Sequence, residues 1–327
     1  MTTRVGVVGV GGMGACHAHH VADLSGAELV WVADPDEEAG TTVARQLDCE
    51  WVAEGLDRVD DCDALVVACP DQFHHRYVMA GLGRELPILA EKPLTVELVD
   101  AREIVDAEVA LGRRLIQLGF MRVFDERHRQ VAAALERIGP ARHIRAVHRN
   151  TNDGSRTVAQ MLVESIIHDI HTVRWLSDGE IVSTATSVVA GGAGTRMIVV
   201  TCRLADGGVA VLEFDDMASG YEVSVEVTAE RGNVVAAEPL RAAVRADGVV
   251  ACEIGDDWFT PFLDTYRVEM HDFLASVEAG IARGPSAWDG YAAQAVVDAA
   301  VASAAADGAA VAVELPAKPA LYEGVTS

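Results

Sequence analysis

The chain has 327 residues, half of them hydrophobic, which is more than one core usually holds, so two domains are expected. Fifty acidic residues against twenty-six basic ones give a formal charge of −24 at pH 7, a surface that repels nucleic-acid phosphates and anionic lipid, so neither is expected as a partner. No run of eighteen apolar residues marks a membrane span, and the N-terminus lacks the order of a secretion signal, so no membrane partner is expected. The six cysteines are scattered with no C-x-x-C pair, which fits a cytoplasmic protein with reduced thiols.

In chain order, Arg4 to Val8 is a short β-branched run that ends in a glycine-rich turn. Gly9, Gly11 and Gly14 occupy the glycine positions of G-x-G-x-x-G, with Gly12 and Met13 between them. The chemistry asks for glycine three times: for a tight turn, for close approach of backbone to a pyrophosphate, and for a helix packed against its strand. His17, His19 and His20 follow at spacings that spread around the new helix, so they do not read as a metal site. A second run, Leu29 to Ala33, ends in Asp34, where a ribose-binding acid belongs. A helix over Glu37 to Leu47 and strands at Ala64 to Ala68 and Ile88 to Ala90 continue a βαβ series with a parallel sheet. The predicted cofactor is NAD, because Asp34 would bind ribose hydroxyls and repel a 2′-phosphate, and no arginine immediately follows it.

The stretch VESIIHDIHTVRWL, Val163 to Leu176, places Glu164, His168 and His171 at helical spacings that share a face. Three readings stand on these residues alone: a metal site, proton-transfer machinery, or the wet edge of a helix whose Ile166, Ile167, Ile170 and Val173 face the core. Beyond it, segments around Arg142 to His148, Met197 to Leu204, Val209 to Phe214 and Tyr221 to Thr228 alternate or run β-branched between polar turns, as antiparallel strands do.

Two further stretches carry a family resemblance. CPDQFHH (Cys69 to His75) and AEKPLT (Ala90 to Thr95), with its E-K-P at Glu91, Lys92 and Pro93, resemble the Gfo/Idh/MocA oxidoreductases. GFMRVFD, AVHRN, GYEVSVEV, TYRVEMHDF and GPSAWDGY, in that order along the rest of the chain, are similar to the inositol dehydrogenases of that family. The resemblance implies an α/β protein: a Rossmann domain over residues 1–120, then an α/β domain over 121–327 on a large, mostly antiparallel open sheet that binds substrate and assembles a homo-oligomer, a tetramer. It implies NAD-dependent oxidation of a secondary hydroxyl of a cyclic polyol, an inositol going to its 2-keto product. The alternatives are another cyclitol, an amino-cyclitol or a pyranose, or a non-catalytic NAD- and sugar-sensing protein.

In the family the helix over Val163 to Leu176 reads Asp-x-x-x-His-x-x-Asp. The resemblance therefore makes His168 the proton acceptor and Lys92 the group at the substrate hydroxyl, with Glu164 in the first acid's place and His171 in the second's. No metal is required by this chemistry, since hydride goes to the nicotinamide and the proton to a base. Arg122, His148, Asn150 and Tyr221 correspond to pocket positions, although a surface charge, a strand histidine, a turn former and a packing ring would explain them equally. On the cofactor side the expected set is Gly9, Gly11, Gly12, Met13, Gly14, Asp34, Cys69, Pro70, His74, Glu91 and Lys92.

Overall fold

The structure, a computed structural model, describes residues 2–191, 194–237, 243–246, 249–252 and 255–323. It divides into two compact units: Met1–Phe124 with Asp264–Ala292 and Leu315–Ser327, and Asp125–Leu263 with Ala293–Glu314.

The first unit alternates strand and helix: β1 (Thr3–Val8), α1 (Gly12–Asp23), β2 (Ala27–Ala33), α2 (Glu37–Leu47), β3 (Glu50–Val52), β4 (Ala64–Val67), α3 (His74–Leu82), β5 (Ile88–Ala90), α4 (Leu98–Leu111) and β6 (Ile116–Leu118). Its six strands run parallel in the order β3-β2-β1-β4-β5-β6. Parallel strands covered by helices on both faces must be apolar throughout, and β4 and β5 are buried at every residue. The helix over Glu37–Leu47 has the bounds its sequence predicts, because Asp36 caps it by accepting the N–H groups of Glu38 and Ala39. It stops where Asp48 takes a left-handed conformation at φ 54°. The strand order reverses between β1 and β4, and in such sheets ligands bind beyond the carboxyl ends of those two strands.

After the first sheet come α5 (Glu126–Ile138), β7 (Ala141–Thr151), α6 (Val158–Met161), α7 (Ile167–Ser177), β8 (Ile181–Gly191), β9 (Gly194–Leu204), β10 (Val209–Asp215), β11 (Met217–Ala229) and β12 (Gly232–Ala236). A short hairpin, β13 (Ala243–Ala246) and β14 (Val249–Cys252), precedes α8 (Leu263–Ala279), α9 (Ala287–Ala305) and β15 (Val311–Ala312). From Asp264 through Ala292 the chain belongs to the first unit again. The second unit is built on a seven-stranded sheet, β12-β11-β7-β10-β9-β8-β15, antiparallel apart from the β7–β10 pair. Along β10, Ala210, Leu212 and Phe214 are buried while the residues between them are half-exposed, so one face is packed and the other is open. Both the parallel and the mostly antiparallel sheet expected from the sequence are present. Among the described residues no helix is long and apolar enough to cross a membrane.

Candidate active site

The carboxyl ends of β1, β2 and β4 surround a cleft of about 620 Å³. Gly9, Gly11, Gly12, Met13, Asp34, Cys69 and Pro70 line it, all of them expected from sequence. Gly9 sits at φ +84°, and a side chain there would also press on the backbone of Ala68 and Cys69 at 2.6 Å, so the tight turn requires glycine. A Cβ on Gly14 would lie 2.0 Å from the Gly9 carbonyl oxygen, which is the close approach of α1 to β1. By contrast, Cβ atoms on Gly11 and Gly12 would meet nothing within 4 Å. That open space above the start of α1 fits a pyrophosphate, which the helix N-terminus attracts. Asp34 is fixed by its own backbone surroundings: Oδ2 accepts the Val10 N–H and Oδ1 the Asp36 N–H, each at 2.9 Å. Burial pushes the Cys69 thiol up to about 12, so it stays protonated and is no nucleophile.

Gly14, His74, Glu91 and Lys92 lie outside the lining of this cleft. His74 is buried and braces two loops, with Nδ1 2.8 Å from the Pro93 carbonyl oxygen and Nε2 2.8 Å from that of Cys69. It holds the E-K-P turn against the β4 loop. Glu91 accepts from His17 Nε2 at 2.8 Å and from the Lys92 backbone N–H at 3.2 Å. Arg122 is buried in a single turn over Met121–Phe124.

Sequence reading missed one side of the cleft, where Glu54, Phe73, Arg76 and Tyr77 also line the cavity. The Arg76 guanidinium stacks over Phe73 at 4.8 Å and Tyr77 at 4.6 Å, and donates to Glu54 at 3.2 Å. No spacing pattern announces this set, because the loop after β3 and the start of α3 meet only in the fold.

In the second unit the stretch around Glu164 is not one regular α-helix. Residues Leu162–Ile166 form a π-turn between α6 and α7. This widens the turn and rotates Glu164 away from the position that uniform helical spacing assigns it relative to His168. Glu164 is exposed and paired with Arg156 at 3.1 Å, whereas His171 is buried in α7 and His168 is half-buried. Among the described residues, the one group of three or more His, Cys, Asp or Glu whose ligand atoms all lie within 4.8 Å of one another is His75, Asp100 and Glu103. Glu164, His168 and His171 do not form such a group. His148 does face the helix: its Nδ1 is 3.1 Å from Oδ2 of Asp169, both side chains buried. The His148 ring also packs edge-on against Phe214 at 5.1 Å and Tyr221 at 5.9 Å. Asn150 donates to Ser165 Oγ at 3.3 Å. Thus the structure gathers His148, Tyr221 and Asn150 along β7, β11 and the π-turn. Asp169 and Arg156 belong to the same cluster and were not singled out from sequence. Asp169 lies inside the very stretch that was read, but its partner is 21 residues away on β7.

The N-terminal model of an oxidoreductase family with an NAD-binding Rossmann fold matches residues 3–120, and the C-terminal α/β model of the same family matches 160–313. The chain belongs to the Gfo/Idh/MocA oxidoreductase family. Among the curated members similar to it is an inositol 2-dehydrogenase of Agrobacterium fabrum, 35% identical over 336 residues that span 99% of this chain and all of that protein. Another, inositol 2-dehydrogenase 1 of Saccharopolyspora erythraea, is 38% identical over 98% of this chain and 99% of its own. Among solved structures, myo-inositol dehydrogenase from Lactobacillus casei in complex with NAD(H) and myo-inositol superposes with a TM-score of 0.93, at 29% identity over 99% of this chain and all of that one. As a Gfo/Idh/MocA member, the chain carries the family's NAD-binding fold in the unit whose cleft the glycine turn and Asp34 line.

Proposed function

We infer that this protein is an NAD-dependent dehydrogenase that oxidises a secondary hydroxyl of an inositol to the ketone. One observation carries the reading: similarity to inositol 2-dehydrogenases runs end to end, through both the cofactor and the substrate halves. The cleft fits the dinucleotide, with Gly11 and Gly12 leaving room for phosphates and Asp34 presenting a carboxylate to ribose hydroxyls. When bound, NAD supplies the hydride acceptor. His168 takes the hydroxyl proton, and Lys92 holds the developing alkoxide by charge and hydrogen bond. His148, Asn150, Tyr221, Arg122 and His171 hold the ring hydroxyls, and Asp169 orients His148.

Residues 1–120 serve the cofactor and 121–327 the substrate and the assembly. The open face of the large sheet supports a homotetramer, which light scattering on the purified protein tests. The reduced cysteines support a cytoplasmic location.

Absorbance at the NADH band, with NAD and a panel of inositol isomers and common sugars, tests the activity. Lys92→Ala and His168→Ala each lower turnover by roughly 10²-fold, the scale of a lost acid–base group, with NAD binding nearly intact. A protein that binds NAD but reduces it with no member of the panel would instead be a sensor. Glu164, standing where the family resemblance implies an aspartate, supports a ranking of isomers different from that of the inositol dehydrogenases, since Arg156 anchors the longer side chain.

A further inference from the structure

One arginine from outside the π-turn ties that turn to the large sheet. Arg156 lies between β7 and α6, half-buried, with its guanidinium 5.5 Å over the Phe214 ring, and Phe214 in turn packs against His148 at 5.1 Å. Its donors divide between two sides. Nε reaches Oδ2 of Asp216 at 3.4 Å and Nη2 donates to Oδ1 of the same carboxylate. Nη1 donates to Glu164 Oε2 at 3.1 Å and to Ser165 Oγ at 3.3 Å, both in the π-turn. Asp216, between β10 and β11, is 0% exposed, and Asn152 donates to its Oδ1 at 2.8 Å. A buried carboxylate needs such partners, and a guanidinium fork that grips one is fixed in direction.

Ser165 passes that anchorage on. Its buried Oγ accepts from Arg156 on one side and from Asn150 Nδ2, at 3.3 Å, on the other. With Nδ2 engaged, the Asn150 amide has a settled direction. Its Oδ1 is buried, and among the described residues no donor reaches it. A buried carbonyl oxygen left so is costly unless something donates to it, and a ring hydroxyl is such a donor.

We propose that Arg156 is a positioning residue for substrate recognition: acting through Ser165, it turns the Asn150 amide so that Oδ1 accepts a ring hydroxyl of the polyol. The proposal rests on the dehydrogenase reading and on the place given to Asn150 above.

The experiment uses the full chain with NAD and myo-inositol and measures kcat and KM for Asn150→Ala, Ser165→Ala, Arg156→Ala and the double variants with Asn150→Ala. Ser165→Ala removes the bridge and leaves Arg156 on Asp216 and Glu164. It raises the KM for myo-inositol about fivefold, the scale of one lost hydrogen bond, and lowers kcat less. Arg156→Ala raises that KM at least as far, and the KM for NAD stays within about twofold in both, because the cofactor cleft is untouched. In the Asn150→Ala background, Ser165→Ala and Arg156→Ala each change the polyol KM by less than about twofold, since the residue they act through is gone. Effects that multiply in the double variants overturn the proposal, as does Asn150→Ala with the wild-type KM; in both cases the dehydrogenase reading stands. Should Arg156→Ala fail to fold, with Asp216 stripped of its counter-charge, Ser165→Ala carries the cycle by itself. A wild-type protein that reduces NAD with no polyol overturns the dehydrogenase reading and this proposal with it.

Discussion

Asp34 gives the sharpest test of cofactor choice, because two different jobs meet in one carboxylate. It braces the glycine turn through the Val10 and Asp36 N–H groups, each at 2.9 Å, and it presents negative charge at the ribose end of the cleft. A 2′-phosphate about 4 Å from that charge would be repelled by roughly 2–4 kcal/mol at an effective dielectric of 20 or more, which is about 30- to 700-fold in relative kcat/KM. Asp34→Ala removes both functions. The buried Val10 N–H loses its acceptor, at a cost of about 1–3 kcal/mol, so NAD use suffers along with selectivity. Asp34→Asn separates the two: its carbonyl oxygen still accepts one N–H, but the charge is gone. The assay is kcat/KM for NAD and NADP at fixed polyol, with thermal melting of each variant alongside. We expect Asp34→Asn to lose most of the discrimination while melting close to wild type, and Asp34→Ala to melt lower as well. If Asp34→Asn rejects NADP as strongly as wild type does, the selectivity is steric and the electrostatic argument fails.

Gly14→Ala places a methyl 2.0 Å from the Gly9 carbonyl oxygen, which is backbone and cannot move aside cheaply; titration calorimetry should show NAD binding weakened at least tenfold or a misfolded protein. Asp169→Asn keeps a neutral hydrogen bond to His148 but removes the charge, so KM for the polyol should rise several-fold with NAD affinity unchanged; equal KM values would detach this pair from the substrate site. Exhaustive chelation should leave turnover intact, and loss of activity restored by added zinc would return a metal to the chemistry. Glu269→Gln should melt several degrees above wild type at pH 7 to 9. The unfolded Glu269 ionises above about pH 4.3 while the folded one keeps its proton, so the unfolded state binds fewer protons and wild-type stability falls as pH rises. The difference should vanish near pH 4, and a pH-independent gap would mean that packing, not ionisation, separates the two proteins.

What could be read from sequence was what is local or periodic. The glycine turn, the capped helix over Glu37–Leu47, the apolar β4 and β5 and the acid at Asp34 follow from backbone sterics, capping and burial, each confined to a few consecutive residues. Motif order along the chain carried the family. Tertiary structure decided what depends on distant partners. The π-turn at Leu162–Ile166 breaks the helical register that Glu164, His168 and His171 were read on, and nothing in VESIIHDIHTVRWL marks a turn of that width. His17, set aside as one of three histidines scattered around a helix, pairs with Glu91 across 74 residues. Glu269 is one glutamate among many until α8 buries it completely, where among the described residues its oxygens meet no hydrogen-bond partner. Ionisation inside a protein is set by which groups burial brings together, and that is a property of the fold, invisible along the chain.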